Sequence, residues 1–260
     1  MDGTSTEDRI ERERLFHDDR FARDNRHAAD KYYDTTRSSQ AAYDDAMRSV
    51  DPEQAVLEYG CGEGSAAFDL ARRGVTVVGI DISSVAIEHA TERANVEGLT
   101  TARFAVMNAE HLEFDDESFD LVCGSGILHH LDLQPALSEV ARVLKPGGRA
   151  VFFEPMGHNP LINLYRRFTP SMRTSDEHPL LMSDFDIARA CFGTVDVTFF
   201  HALSLGAVAF RRRPGGTHLL RALDACDRWL FRHIKTSRRL AWVAILTLEK
   251  TRRVGARAGQ

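Results

Sequence analysis

Residues 56–65 read VLEYGCGEGS, and this stretch decides the fold. An apolar run of strand length leads into Gly60, Gly62 and Gly64, and a helical pattern follows over 65–73. Glycine allows the backbone to turn sharply and to approach a ligand with no Cβ in the way. A helix that starts there directs its positive end and its free N–H groups at the same ligand. The stretch therefore predicts a strand–turn–helix unit that binds a ligand at its turn.

Outward from this unit, short apolar strands alternate with amphipathic helices. The pattern predicts strands at 55–59, 75–80, 102–106, 119–123 and 149–154. Strict alternation of this kind is typical of a parallel sheet covered on both faces. In such sheets the ligands bind beyond the carboxyl ends of the strands. The predicted fold class is α/β, a Rossmann-like doubly wound sheet.

The spacing of the glycines narrows the class of ligand. A dinucleotide fingerprint reads G-x-G-x-x-G, but here the third glycine comes one residue early. Glu58 and Glu63 add negative charge that would repel a pyrophosphate. Asp81 ends the second predicted strand, where a carboxylate can accept both hydroxyls of a ribose. The residues thus favour a nucleoside cofactor with a cationic amino-acid end.

Four motifs in order, VLEYGCGEGS, VVGIDIS, FDLVCGSGILHHL and RVLKPGGRAVFFEP, resemble the class I S-adenosylmethionine-dependent methyltransferase family over roughly residues 50–155. The resemblance implies a transferase with a seven-stranded sheet whose last strand is antiparallel. It implies S-adenosylmethionine as the cofactor and S-adenosylhomocysteine as its product. By position, Glu58, Gly60 and Gly62 would hold the methionine part, Asp81 the ribose, and Ile82 would pack on the adenine.

The resemblance extends the cofactor site to the ends of the third and fourth strands. Asn108 stands where the family often has an acidic residue beside the adenine amino group, and its amide oxygen can still accept a hydrogen bond. The cofactor-binding positions carried over in addition are Cys61, Asn108, Ala109, Glu110, Gly124 and Ser125. Gly124 and Ser125 belong to a segment, 123–125, that would line the cofactor near its sulfonium.

Four residues are candidates for the general base. His129 and His130 follow the fourth strand, and imidazole titrates near neutral pH; alternatively they begin a helix and shape the cofactor pocket. Glu154 ends the fifth strand and faces the crevice as a base or as a hydrogen-bonding orienter. His158 lies just beyond it. No metal is expected, because the spacing of His158, His178, Asp176 and Glu177 fits no familiar ligand pattern.

The chain divides into an N-terminal helical cap at 1–50 and a methyltransferase domain at 51–260. The domain carries a lid insertion at 156–182 and a helical insertion at 211–240, where Leu219, Leu223, Cys226 and Leu230 form a stripe. In the lid, Arg166, Arg167 and Arg173 would clamp an anionic acceptor, or pair with Asp176 and Glu177. Tyr32 and Tyr33 of the cap would cover the cofactor or pack in the core.

Composition indicates the cellular compartment in which the protein is expected. No apolar run approaches the roughly 20 residues needed to cross a bilayer, and the charged start of the chain does not resemble a signal peptide. The four cysteines form no CxxC pair, so free thiols in a reducing cytoplasm are expected. Residues 206–260 carry 13 Lys and Arg against 3 Asp and Glu, a net charge of +10, which leaves −15 on residues 1–205.

These features together predict methylation of a small-molecule acceptor. An oxygen of a natural-product-type or acidic substrate is favoured, with SN2-like transfer promoted by proximity and a base. The alternatives are an N- or C-methyltransferase of small molecules, and an RNA or protein methyltransferase that uses the basic region. A non-enzyme alternative is a cofactor-binding module on a membrane surface or in an interaction. No nucleic-acid partner is expected, and the chain would be a monomer or a homodimer.

Overall fold

A seven-stranded sheet with helices on both faces forms the centre of the molecule. The computed structural model describes residues 6–22, 36–64, 66–169, 174, 176–210 and 213–252, except the side chains of 208 and 209. Its helices are α1 (Thr6–Ala22), α2 (Arg37–Arg48), α3 (Ala66–Arg72), α4 (Ser84–Glu97), α5 (Leu133–Val143), α6 (Pro160–Phe168), α7 (Asp184–Cys191) and α8 (Gly216–His233). Its strands are β1 (Ala55–Tyr59), β2 (Thr76–Asp81), β3 (Ala102–Val106), β4 (Phe119–Ser125), β5 (Leu144–Pro155), β6 (Thr194–Phe200) and β7 (Val243–Glu249).

The strands lie in the order β3-β2-β1-β4-β5-β7-β6. Strands β1 to β5 pair in parallel, and β7 runs antiparallel between β5 and β6. The sequence-based fold class is therefore confirmed, including the antiparallel last strand. The order reverses between β1 and β4, so the carboxyl ends of these two strands open a crevice for a ligand.

Alternate residues of the strands pack into two separate cores, one on each face of the sheet. Because successive side chains in a strand point to opposite faces, Leu57 and its neighbours pack under α5 and α7, while Val56 packs under α2 and α3. The first face includes Tyr59, Val122, Phe152, Leu137 and Phe185. The second includes Tyr43, Met47, Leu70, Leu121 and Val151. Both faces are covered, as the near-continuous apolar strands predict.

Local signals explain most helix ends. The Ser83 hydroxyl accepts a hydrogen bond from the amide of Ala86 and caps α4, which ends at Gly98 in the left-handed conformation. Gly74 follows α3 with a φ of +83°. Ser65, predicted to cap α3, lies outside the described residues. Two amides at the start of α3 donate to Glu58, which is described with the site below.

Two local predictions are wrong. The sequence Lys145-Pro146-Gly147-Gly148 predicts a sharp turn, but this segment is a bulge inside β5, since Phe119 pairs with Leu144 and Leu121 with Arg149. In α8, Leu219 and Cys226 are exposed, whereas Asp227 and Phe231 are buried. The Asp227 carboxylate accepts the amides of residues 202–204, so a buried polar residue displaced the predicted apolar stripe.

The predicted lid lies beside the carboxyl end of β5. Its first half forms α6, which Asn159 caps through hydrogen bonds from the amides of Leu161 and Ile162. Its second half returns beside β5, where the amide of Leu180 donates to the carbonyl of Pro155 at 3.0 Å. Within the described part of the chain, no helix has the length and apolarity to cross a membrane.

Candidate active site

A cavity of about 1000 Å³ lies beyond the carboxyl ends of β1, β2 and β4. Its floor is the turn after β1, and α1 supplies much of its other wall. Eleven of the fifteen predicted site residues line it: Gly60, Cys61, Gly62, Asp81, Ile82, Asn108, Ala109, Glu110, Ser125, His129 and His130. Glu58, Gly124, Glu154 and His158 do not. The structure thus brings the two predicted halves of the site into one cleft.

The turn after β1 requires its glycines. Gly60 has a φ of +66° and Gly62 a φ of +52°, a region that L side chains avoid. A Cβ on Gly60 would lie 2.7 Å from the side chain of Ile127. The turn can therefore approach a ligand from below while the residues after β4 close over its other side.

Glu58 holds this turn from behind. Its buried carboxylate accepts the amides of Ala66 and Ala67, each at 2.8 Å, at the start of α3. These amides have no partner within the helix, and a negative charge at a helix start is favourable. Glu58 thus faces α3 and not the cavity. Its contacts do not favour direct binding of the methionine part of a cofactor.

Asp81 lies where β2 ends and lines the cavity. One carboxylate oxygen accepts the amide of Gly62 at 2.8 Å, and the other accepts the amide of Ser83 at 2.9 Å. Each oxygen of a carboxylate has a second lone pair. Asp81 therefore ties the glycine turn to the start of α4 and keeps the capacity to accept two hydroxyl groups.

The third wall is the segment after β3. Asn108 uses its amide oxygen to accept the amide of Glu110 at 2.9 Å. The Glu110 carboxylate accepts Arg9 of α1 at 2.6 Å. The negative charge of Glu110 is thus paired with a cation from the other side of the cavity. The buried Ala109 accepts the Tyr59 hydroxyl through its carbonyl.

The remaining predicted cofactor residues differ in access. Burial raises the pKa of the Cys61 thiol well above its usual range, so Cys61 lines the cavity as a neutral, apolar side chain. Ser125 is exposed at the end of β4. Gly124 lies within the sheet, and a Cβ there would be 2.8 Å from the carbonyl of Tyr59. Gly124 therefore allows close packing of β4 on β1.

His129 and Glu154 form a buried pair. One carboxylate oxygen of Glu154 accepts the amides of Ile127 and Leu128, at 2.9 and 2.8 Å. The other lies 2.8 Å from Nδ1 of His129. Because an ionised carboxylate only accepts, Nδ1 donates and Nε2 is left as the acceptor. Of the two roles predicted for Glu154, these contacts favour the orienter over the base.

His130 contacts helix α1. Its Nδ1 lies 3.1 Å from Oε2 of Glu13, and the His17 ring is edge-on to the His130 ring at 5.1 Å between centroids. Burial lowers the pKa of His130, and Glu13 offsets only part of that effect. Burial alone would raise the pKa of Glu13, but His130, His17 and the Thr174 hydroxyl together lower it by more.

The lid residues have mostly structural partners. His158 accepts the amide of Met182 through Nε2 at 3.0 Å, so this nitrogen is not available as a base. Arg166 pairs with Glu177 at 2.8 Å, as one of the two predicted readings has it. Asp176 instead pairs with Arg12 of α1 at 2.9 Å. Arg173, Tyr32 and Tyr33 lie outside the described residues.

Sequence reasoning missed the contribution of α1 to the cavity. Ile10, Glu13, His17 and Phe21 recur at helical spacing and all line the cleft. A carboxylate and an imidazole on an otherwise apolar stripe are unusual, because charged groups are seldom buried unless they are paired. That pattern was the available signal. The buried Tyr43 of α2 was also missed; it lines the cavity, and its hydroxyl has no hydrogen-bond partner among the described residues.

Comparison with known proteins agrees with this geometry. A family model described as a methyltransferase domain matches residues 57–152. The ubiquinone/menaquinone biosynthesis C-methyltransferase UbiE of Zymomonas mobilis is 34% identical over 182 residues, which cover 66% of this chain and 75% of that protein. The chain belongs to the class I S-adenosylmethionine-dependent methyltransferases. The predicted family and enzyme class are confirmed, and so is the cofactor.

Other members of the methyltransferase family match over shorter stretches. The methyltransferase GfsG of Streptomyces halstedii is 41% identical over 97 residues, or 36% of this chain and 35% of that protein. The chain spans between 35% and 59% of the length of four such curated relatives. Phosphoethanolamine N-methyltransferase 2 of Haemonchus contortus, solved with S-adenosylmethionine, superposes with a TM-score of 0.61 at 20% identity, over 83% of this chain and 53% of that one. This last likeness concerns the fold.

Proposed function

We propose that this protein methylates an oxygen of a small-molecule acceptor and that His129 is the general base. One observation carries the proposal: the buried carboxylate of Glu154 fixes His129 at 2.8 Å beside the same cavity that contains the glycine turn. A carboxylate on Nδ1 selects the tautomer whose Nε2 accepts a proton. An oxygen nucleophile with an ionisable proton gains most from such a base.

The cavity suits a cofactor together with a small acceptor. Its volume of about 1000 Å³ is at the upper end of the range for small-ligand sites, about 300–1,000 Å³. The positive-φ glycines and the lone pairs of Asp81 fit a nucleoside cofactor at one side. His129, His130 and the residues of α1 surround the other side. Helix α1 and the lid segment enclose this second half, which supports a small acceptor over a polymer.

The residues of the chain divide the work of transfer. When bound, S-adenosylmethionine supplies an electrophilic methyl group and takes the electron pair of the broken bond onto its sulfur. Gly60, Gly62 and Asp81 would hold it in one orientation. His129 would accept the acceptor's O–H proton at Nε2 as the oxygen forms its bond to the methyl carbon. Holding both reactants in line in a water-poor cleft supplies much of the acceleration.

Methylation of a carbon is the second candidate, and the relationship to UbiE favours it. That relative is named a C-methyltransferase of ubiquinone and menaquinone biosynthesis. The same base chemistry serves both outcomes, because removal of a phenolic proton makes the oxygen and the ring carbons beside it nucleophilic. The position of the acceptor relative to the methyl group then selects the atom.

The proposal is tested by methyl transfer from ¹³C-methyl S-adenosylmethionine to phenols, carboxylic acids, alcohols and amines. Mass spectrometry detects the product, and the ¹³C chemical shift distinguishes O-, N- and C-methyl groups. We expect O-methyl products with the wild-type protein and a large loss with His129→Gln. A product labelled only on carbon or nitrogen would contradict oxygen as the acceptor atom. Binding of S-adenosylhomocysteine with no transfer to any class would contradict the small-molecule function.

A further inference from the structure

Two buried polar atoms face each other at the α1 side of the cavity. Glu13 and His130 are only 4% and 9% exposed. Oε2 of Glu13 and Nδ1 of His130 have no hydrogen-bond partner among the described residues. They lie 3.1 Å apart without the alignment of a hydrogen bond. Buried polar groups are nearly always satisfied, so this pair calls for a shared partner between the two atoms.

A third donor completes the set. His17 follows Glu13 by four residues, which places both on one face of α1, and its Nε2 lies 3.5 Å from Oε2 of Glu13. The three donor atoms lie within 4.8 Å of one another. Ligands bound tetrahedrally to zinc at about 2.0–2.1 Å are about 3.3 Å apart. The distances from Oε2 of Glu13 to His130 and to His17, 3.1 and 3.5 Å, are close to that spacing.

We propose that Glu13, His17 and His130 bind a divalent first-row transition-metal ion such as Zn²⁺. Two imidazoles and one carboxylate suit such an ion, whereas Mg²⁺ prefers oxygen ligands and retained water. Three protein ligands leave a fourth position open, as in catalytic zinc sites. All three residues line the cavity, so the open position faces the acceptor half of the cleft.

Neighbouring groups support the ligands from behind. The Thr174 hydroxyl donates to Oε1 of Glu13 at 2.5 Å and leaves Oε2 to the ion. Arg9 donates to the carbonyl of His130 at 3.1 Å, while its charge is paired with Glu110 at 2.6 Å. Contacts of this kind orient metal ligands. Arg9, the cation that contacts His130, is thus already paired with a carboxylate.

A second cluster shares His130 but is less suited to an ion. It consists of His129, His130 and Glu177. Glu154 occupies Nδ1 of His129 at 2.8 Å, and Arg166 pairs with Glu177 at 2.8 Å. This assignment leaves His129 free to act as the base. The residue spacing in the sequence could not reveal the set Glu13, His17 and His130, because His130 lies far along the chain from α1.

One consequence rests on the proposed function. An ion at the open position would bind an oxygen of the acceptor and make its proton easier for His129 to remove. The favoured acceptors are then phenols or hydroxy acids that bind a metal through oxygen. Metal binding itself does not depend on this consequence and is tested separately.

The test is a titration of the full-length, chelator-treated protein with Co²⁺, followed by absorbance of its visible bands, and competition with Zn²⁺. We expect one ion per chain. Glu13→Gln, His17→Ala and His130→Ala should each weaken binding by about 10-fold or more, which is the effect of losing even a supporting group. The matched control is His89→Ala, an exposed histidine beside a carboxylate, Glu63; it should bind as the wild type does.

The outcomes separate the competing explanations. Absence of stoichiometric binding, or wild-type affinity in His17→Ala, would overturn the proposal. Loss of binding in His129→Ala with no loss in His17→Ala would assign the ion to the second cluster and overturn it equally. A Zn²⁺-dependent rise in Tm that His17→Ala abolishes supports the site even if another variant folds poorly. Stoichiometric metal binding without methyl transfer would instead refute the proposed function alone.

Discussion

The fully buried carboxylate of Glu154 lies 2.8 Å from Nδ1 of His129 and also accepts the amides of Ile127 and Leu128. One residue therefore sets both the backbone turn after β4 and the tautomer of the proposed base. The first prediction therefore concerns which ring nitrogen of His129 carries the proton.

His129→Gln should lower kcat by about 10²–10⁴-fold, the usual contribution of a general base, while the Kd for S-adenosylhomocysteine is unchanged. Rapid-quench kinetics and calorimetry measure the two quantities. Glu154→Gln keeps the shape and an oxygen for the two amides, but its NH₂ group faces Nδ1 and favours the tautomer with the proton on Nε2. We expect a kcat loss of about 10²-fold or more and a changed pH–rate profile. Equal KM and kcat changes with an unaltered profile would indicate a purely structural Glu154.

Asp81→Asn should weaken binding of S-adenosylhomocysteine by about 10-fold or more, or about 1.4 kcal/mol, since it loses charge-assisted hydrogen bonds to the ribose. Isothermal titration calorimetry measures the affinity. Asp115→Asn, an exposed carboxylate outside the cavity, is the matched control. Unchanged affinity in Asp81→Asn would remove this residue from the cofactor site.

Gly60→Ala should lower both cofactor affinity and stability. Its φ of +66° strains any L residue, and the new Cβ would lie 2.7 Å from Ile127. Gly74→Ala has the same strain at a φ of +83° but no atom within 4 Å, so it should lose only about 1–2 kcal/mol. Urea unfolding should show the larger loss for Gly60→Ala, and only that variant should lose cofactor affinity. Equal losses in both variants would show that the contact with Ile127 has no influence.

His201 should make the protein less stable in mild acid. Burial lowers its pKa to about 4, between the hydroxyls of Ser39 and Ser204 at 2.8 and 3.1 Å. Between pH 6.5 and 4 the unfolded chain gains a proton here that the folded chain does not. The free energy of unfolding should therefore decrease as the pH is lowered through this window, by about 3 kcal/mol at most.

The measurement is urea unfolding of the wild type and His201→Gln at pH 7 and pH 5. Two carboxylates face the ring. The pKa of Asp224, 3.8 Å away, is raised by burial, and Asp227 opposes the effect of burial on His201. The comparison with His201→Gln isolates the histidine, and the variant should show the smaller change. A pH dependence as steep in the variant as in the wild type would assign the effect to other groups. His89→Gln, at an exposed position, should behave as the wild type.

The fold was largely predictable because its signals are local. Apolar runs, the caps around α4 and the glycine turn each occupy a few neighbouring residues, and β1 and β3 were predicted at their observed bounds. The placement of the glycine turn and Asp81 beside one cavity was predictable for the same reason. The backbone contacts of Glu58 and Glu154 were not predicted. Both follow the pattern of a ligand-facing carboxylate at a strand end, but unpaired amides, at the start of α3 for Glu58 and after β4 for Glu154, bind the same oxygens.

The acceptor half was not predictable from neighbouring residues. Arg9 contacts Glu110, which is 101 residues later in the chain, and Arg12 contacts Asp176, which is 164 residues later. No sequence period links such positions. The buried character of Glu13 and His17 depends on which segment covers α1, and only the folded chain shows that.

Helix α1 lies over both halves of one cavity. A cofactor at the glycine turn and an acceptor beside His130 therefore share a single cover, tied down by the Arg9–Glu110 and Arg12–Asp176 ion pairs and by the hydroxyl of Ser83 on Asp18. Product cannot leave by this side without uncovering the spent cofactor as well. Exchange of both molecules then becomes one coupled event, whose rate would rise with ionic strength as the partly exposed Arg12–Asp176 pair is screened.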